Sequence, residues 1–190
     1  MFAFLLTLAV AAAPTQNPCS YDRQRLLSLD ENAFDQDLKG GWRPLAYNPQ
    51  CVLVAADLIR DYRAAHAHYS TILFWHEGQL RAEGGQTAAA ISLFNRARAT
   101  EPGHADWEYY VDGTIAFLKR DRQALQSARD KLAAIPRPAN FNPTDGDGKP
   151  IAIKWPPNLD VLNGLLNCFD RSYAEAYGSA CRPMIKIEAP

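Results

Sequence analysis

Two segments of this chain echo each other at a fixed offset, and that constrains the fold more than composition does. Ala90 recurs as Ala124 and Pro102 recurs as Pro136, each 34 residues later, inside the segment 71–136. A period of this size belongs to a supersecondary unit that cannot bury its apolar face alone and must stack on a neighbour. The apolar residues in each unit follow helical spacing. The first unit offers Leu73, Phe74 and Leu80 on a helix over 71–83, then Ala89, Ala90, Leu93, Phe94 and Ala97 on a partner over 86–99. The second offers Trp107, Tyr110, Val111, Ile115 and Leu118, then Ala124, Leu125, Ala128 and Leu132. Gly113 follows Gly78 by 35 residues, which predicts a slip of one position in the first helix of the second unit. No alternating run of convincing strand length accompanies them, so the expected class is all-α.

The first unit places Phe74, Gly78, Gly85, Ala90, Phe94, Ala97 and Pro102 in the order aromatic, small, loop glycine, alanine, aromatic, alanine, proline. In this it resembles a tetratricopeptide repeat. The second unit is degenerate: Lys119-Arg120-Asp121 replaces the loop glycine, Ala128 the second aromatic and Lys131 the last alanine. The resemblance implies a short stack of helical hairpins whose first helices line a concave groove. That face would carry Ile72, Trp75, Gln79 and Ala82, then Asp106, Tyr109 and Gly113. Trp75 and Tyr109, flanked by Gln79 and Asp106, are then the expected anchors for another protein or peptide. The competing expectation buries Trp75 and Tyr109 under the N-terminal helices or the tail, because large aromatics are usually well covered. Phrases such as AADLIRDYRAAH and GGWRPLA are also similar to those of uncharacterised exported bacterial proteins, a resemblance that brings no activity with it.

Around this core the chain reads as one helical domain over 14–190, preceded by a signal peptide at 1–13. The run MFAFLLTLAVAAA is apolar, ends in small residues and is shorter than the ~20 residues a membrane span needs. Export to the periplasm or medium suits the four cysteines, 19, 51, 168 and 181, which flank the repeat region in pairs. Three connectivities are open. The one that closes the shortest loops joins Cys19 to Cys51 and Cys168 to Cys181. Helices are expected over 21–37 and 51–68, with an extended connection at Trp42-Arg43-Pro44 between them. After Pro136, the Pro-, Gly- and Asn-rich residues 137–157 read as a surface loop. Residues 158–181 read as a helical cap, since the end of a stack needs a different outer face.

Motifs that carry chemistry are sparse. His66 and His68 fall on different faces of a helix, and His76-Glu77 lacks a second histidine one turn on, so no metal is expected. A calcium loop turning at Gly148, after Asp145 and Asp147, would begin at Pro143 and end at Lys154, where carboxylates are required. Neither a Gly-x-Ser-x-Gly elbow nor a phosphate-cradling glycine loop is present, and no cofactor is expected. A net charge of −1 argues against a nucleic-acid partner. The expectation is a non-catalytic exported module that binds a protein, for example a periplasmic inhibitor or immunity protein. The alternatives are an envelope hydrolase with dispersed carboxylates and a structural accessory of an envelope complex.

Overall fold

A computed structural model describes residues 17–68, 70–99, 103–144, 148–150 and 152–182. The signal-like segment, Pro102 and the Asp145-Gly146-Asp147 run lie outside these residues. The chain is all-α: its one β feature among the described residues is an isolated bridge between Thr144 and Pro150. Two short helices, α1 (Arg23–Leu27) and α2 (Arg43–Ala46), lead into α3 (Val52–Ala65). Two hairpins follow, α4 (Ile72–Glu83) with α5 (Thr87–Ala99) and α6 (Ala105–Leu118) with α7 (Arg122–Ala133). After the loop come α8 (Leu159–Asn167) and α9 (Tyr173–Tyr177). No described helix is long and apolar enough to cross a membrane.

The N-terminal segment differs from the expected continuous helix over 21–37. The Asp22 side chain caps α1 by accepting from Arg25 N at 2.9 Å, and Ser28 Oγ donates to the Arg25 carbonyl at 2.8 Å. Asp30 then caps a separate π-helical turn, Asn32–Gln36, by accepting from Ala33 N at 2.8 Å. These short polar side chains compete for backbone groups and divide the segment. Trp42-Arg43-Pro44 is likewise not extended. Pro44 sits in the first turn of α2, where its missing N–H costs nothing. The turn before it needs glycine: Gly41 has φ +55°, and a Cβ there would lie 1.8 Å from the Phe34 carbonyl oxygen.

Helix α4 is the wall between two apolar clusters. Leu73 and Leu80 join Leu26, Phe34, Leu58 and Tyr62 on one side. Phe74, Trp75 and Ala82 join the hairpins and the C-terminal helices on the other. Two polar residues of α3, Asp57 and Arg63, cross to α4. Glu77, 3% exposed, is held by Arg63 and by Arg81, and Arg81 reaches Asp57 at 2.7 Å. Gly78 gives α5 its close approach, since a Cβ there would meet the Phe94 ring at 2.6 Å.

The two hairpins share one turn geometry at an offset of 35, not 34. Gln86 N donates to the Arg81 carbonyl as Asp121 N does to Ala116, and Gly85 N to Ala82 as Arg120 N does to Phe117. Gly85 and Arg120 both have positive φ, +77° and +58°. Buried positions follow the same offset: Ala90 with Leu125, Leu93 with Ala128, Ala97 with Leu132. The slip expected for one helix therefore covers the whole second hairpin. Ala124, matched to Ala90 by sequence, is exposed, and so is Ala89. A left-handed Arg120 carries some backbone cost. Its guanidinium offsets this by donating to the carbonyls of Phe169 and Arg171, which ties the hairpin tip to the α8–α9 turn.

Both ends are stapled. Cys19 bonds Cys51, at the start of α3, and Cys168 bonds Cys181, closing a loop around α9. With separations of 32 and 13 residues, each bond removes about 3–4 kcal/mol of denatured-chain freedom in the chain-entropy account. The register gives a direct test by thermal denaturation. Leu125→Ala should cost about 2–5 kcal/mol, whereas Ala124→Leu should change stability by less than about 0.5 kcal/mol. The opposite order would restore the 34-residue match.

Candidate functional site

The face expected to form an open groove is occupied by the chain's own tail. Helix α9 packs on α4, and α8 packs on α6 and α7. Gln79 Nε2 donates to the Tyr177 hydroxyl at 2.9 Å, a contact between residues 98 apart in sequence. Gly113 is the seat of Leu162, whose Cδ2 lies 2.7 Å from the position a Cβ would take. Trp75, 3% exposed, is enclosed by Phe94, Trp107 and Tyr110, with ring centroids 4.4, 4.7 and 4.9 Å away. Burial, and after it the neighbouring Tyr177 and Tyr173, push the Tyr110 phenol well above its ordinary 10.0. Trp75 is thus internal, as the core expectation had it, and half-buried Gln79 is engaged by the tail. Asp106 and Tyr109 remain half-buried at the edge, with the Lys131 ammonium 5.8 Å from the Tyr109 ring centroid. The four residues do not form one accessible anchor.

A second arrangement, invisible in the sequence, centres on Asp35. This carboxylate is fully buried in the π-helical turn. It accepts from Trp42 Nε1 at 2.8 Å and Gln36 Nε2 at 2.6 Å, and lies 2.7 Å from His76 Nδ1. Arg43 closes over it, 3.9 Å from Oδ1, while bonding the Asp35 carbonyl. Burial works to raise this carboxyl, but the hydrogen bond and electrostatics of His76, the Trp42 bond and Arg43 outweigh it, holding the value below 3.8. Every group here is engaged with another side chain, so the centre docks α4 onto the N-terminal segment. Among the described residues no three His, Cys, Asp or Glu side chains are grouped as a metal would require.

The open concave surface lies instead along α7, α8 and the loop between them. Four adjoining clefts on the described residues, linked by the shared lining residues Arg122, Gln126, Asn163 and Ile153, make up this valley. Its polar part, about 530 Å³, lies between Arg122, Gln126 and Arg129 of α7 and Asn163 and Asn167 of α8. Arg129 Nε donates to Asn163 Oδ1 at 2.7 Å, which fixes that wall. Asn163 also borders the apolar part, about 660 Å³, where Ile153, Trp155, Pro156, Pro157 and Leu159 converge. Trp155 is immobilised by donating from Nε1 to the Ile135 carbonyl at 2.8 Å and by an edge contact with Phe141. Ile153 stands 42% exposed beside it. The valley's two carboxylates are engaged: Asp130 pairs with Arg129 at 3.0 Å and Asp160 with Arg182 at 3.3 Å. The arrangement suits an extended ligand with polar and apolar groups. The sequence signal was the Trp-Pro-Pro following Ile153, a cluster of rigid and aromatic residues in a loop.

The fold and this surface define a disulfide-stapled all-α protein with its inner helical face filled. No family model, no curated protein and no solved structure matches the chain.

Two outcomes follow from this geometry. Trp75→Ala should cost about 3–5 kcal/mol in thermal denaturation, as a buried aromatic does, and half-buried Tyr109→Ala only about 1 kcal/mol. Equal, small losses would place Trp75 at the surface. For Asp35, the folded value lies below the ordinary 3.8. Its stabilisation is therefore complete above 3.8 and is lost as pH falls through the lower folded value. Asp35→Asn should lower stability at neutral pH by about 3 kcal/mol and flatten the acid limb of the melting-temperature profile. A parallel acid limb in the variant would remove Asp35 from the account.

Proposed function

We propose that this is an exported, non-catalytic helical module that binds another protein through the valley of α7, α8 and the 152–160 loop. The observation that carries the reading is the apolar cleft around Trp155, Pro156 and Leu159, with Ile153 exposed at its edge. A half-buried, hydrogen-bonded indole beside an exposed aliphatic gives contact area at small entropic cost, as binding anchors do. The helical hairpins, read as tetratricopeptide-like units, serve as the rigid support, and ligand binding moves from their inner face to their flank. The signal-like residues 1–13 and two disulfides support a periplasmic or secreted location. In that setting an inhibitor or immunity protein, which acts by occupying a partner's surface, fits the size and the lack of recognisable catalytic motifs.

Capture from an envelope extract by the oxidised protein, with wild type and Ile153→Asp compared, tests this. Because Ile153 is substantially exposed, the variant should keep its melting temperature within about 0.5 kcal/mol of stability. It should lose a wild-type-specific protein partner by tenfold or more. Equal capture of that partner by both chains would place the binding surface elsewhere.

A further inference from the structure

We infer that the valley's partner is an acidic peptide segment, held extended, with an apolar side chain seated by Ile153 and Trp155. This rests on the binding reading above and adds the chemistry of the partner.

The whole chain carries 20 basic and 21 acidic residues and a net charge of −1, yet the valley is lined unevenly. Its carboxylates, Asp130 and Asp160, are each already matched by an arginine. Arg122, Lys131, Arg137 and Lys154 also border it, and among the described residues no carboxylate pairs with any of them. Three of these cations lie over aromatic rings instead. The Arg122 guanidinium is 5.3 Å from the Phe169 centroid, Lys131 is 5.8 Å from Tyr109 and Arg137 is 5.5 Å from Phe141. A ring face positions a cation without neutralising it. The positive charge is therefore ordered along the valley and left for a ligand, where a concave surface focuses its field.

The apolar cleft decides which anion fits. A phosphate polymer would use the cations and leave Ile153 and Leu159 against charged groups; an anionic lipid surface could take Ile153 into its acyl region but is too flat to enter the cleft. A polypeptide supplies both kinds of contact in one strand, with carboxylates for the cations and an aliphatic or aromatic side chain for the Trp155–Pro156 wall. Of the amides between them, Gln126 Nε2, Asn163 Oδ1 and Asn167 Nδ2 are held by Asp130, Arg129 and the Cys181 carbonyl, which leaves Asn163 Nδ2 to donate to a peptide C=O and Gln126 Oε1 and Asn167 Oδ1 to accept from N–H groups.

The test uses the full oxidised chain, immobilised, and a displayed library of random ten-residue peptides. Enriched peptides should carry net negative charge with at least one Leu, Ile, Phe or Trp, and should bind more weakly as salt rises. Arg122→Glu with Lys154→Glu should weaken a selected peptide by tenfold or more, and Ile153→Ser should do so independently, both with unchanged melting curves. Neutral or basic enriched peptides, or acidic ones indifferent to these substitutions, would overturn the inference. So would binding of oligothymidylate or phosphatidylglycerol vesicles that matches the peptides and ignores Ile153→Ser. If extract capture depends on Ile153 but the partner's bound segment is not acidic, this inference fails while the binding reading stands. If capture ignores Ile153, the binding reading fails first.

Discussion

The hydrogen bond from Gln79 to Tyr177, with Leu162 seated on Gly113 nearby, is the contact on which the rest of the structure turns. Together the two contacts join the first helices of both hairpins to the C-terminal tail, and by doing so they close the inner face. Two hairpins alone leave large apolar surfaces on both sides and cannot support a domain. Here the N-terminal helices cover one side through Leu73 and Leu80, and the C-terminal helices cover the other through Trp75, Val111 and Leu165. The disulfides hold each cover to its place in sequence. Cys168–Cys181 restrains α9, a helix of five residues that would be unstable alone.

Filling the inner face has a functional consequence. A stack that has used its concave side for its own stability must present ligands elsewhere, and the flank of α7 and α8 with its rigid loop is where concavity and exposed apolar groups coincide. The same tail builds both features. One side of α8 sends Leu162 and Leu165 inward, while Asn163 and Asn167 line the valley. Stability and recognition are thus divided between faces of one short helix.

Hairpin boundaries were legible because glycine, proline and apolar periodicity act within a turn or two of their own position. The all-α class followed from the same local signals, and the disulfide pairing from loop length. What escaped the sequence depends on partners far along the chain. The 34-residue match placed Ala124 inward, but the Schellman-type turn at Arg120 and Asp121 sets the register, and no glycine marks it. Trp75 has the spacing of a groove residue, yet it is covered by Phe94, Trp107 and Tyr110, rings that spacing alone does not bring around it. Asp35 and His76, 41 positions apart, meet only because a π-helical turn points the carboxylate at α4. Arg122 and Lys154 were ordinary surface cations until the loop and α7 brought them to one valley.

The tail, not an outside ligand, occupies the inner face. Hydroxyl-radical footprinting of the intact, oxidised protein in the absence of any partner reads this at single side chains. Tyr110, which Tyr173 and Tyr177 of the tail adjoin, should react far more slowly than Tyr47, which is 69% exposed. Tyr110 modified as fast as Tyr47 in folded protein would return the open groove.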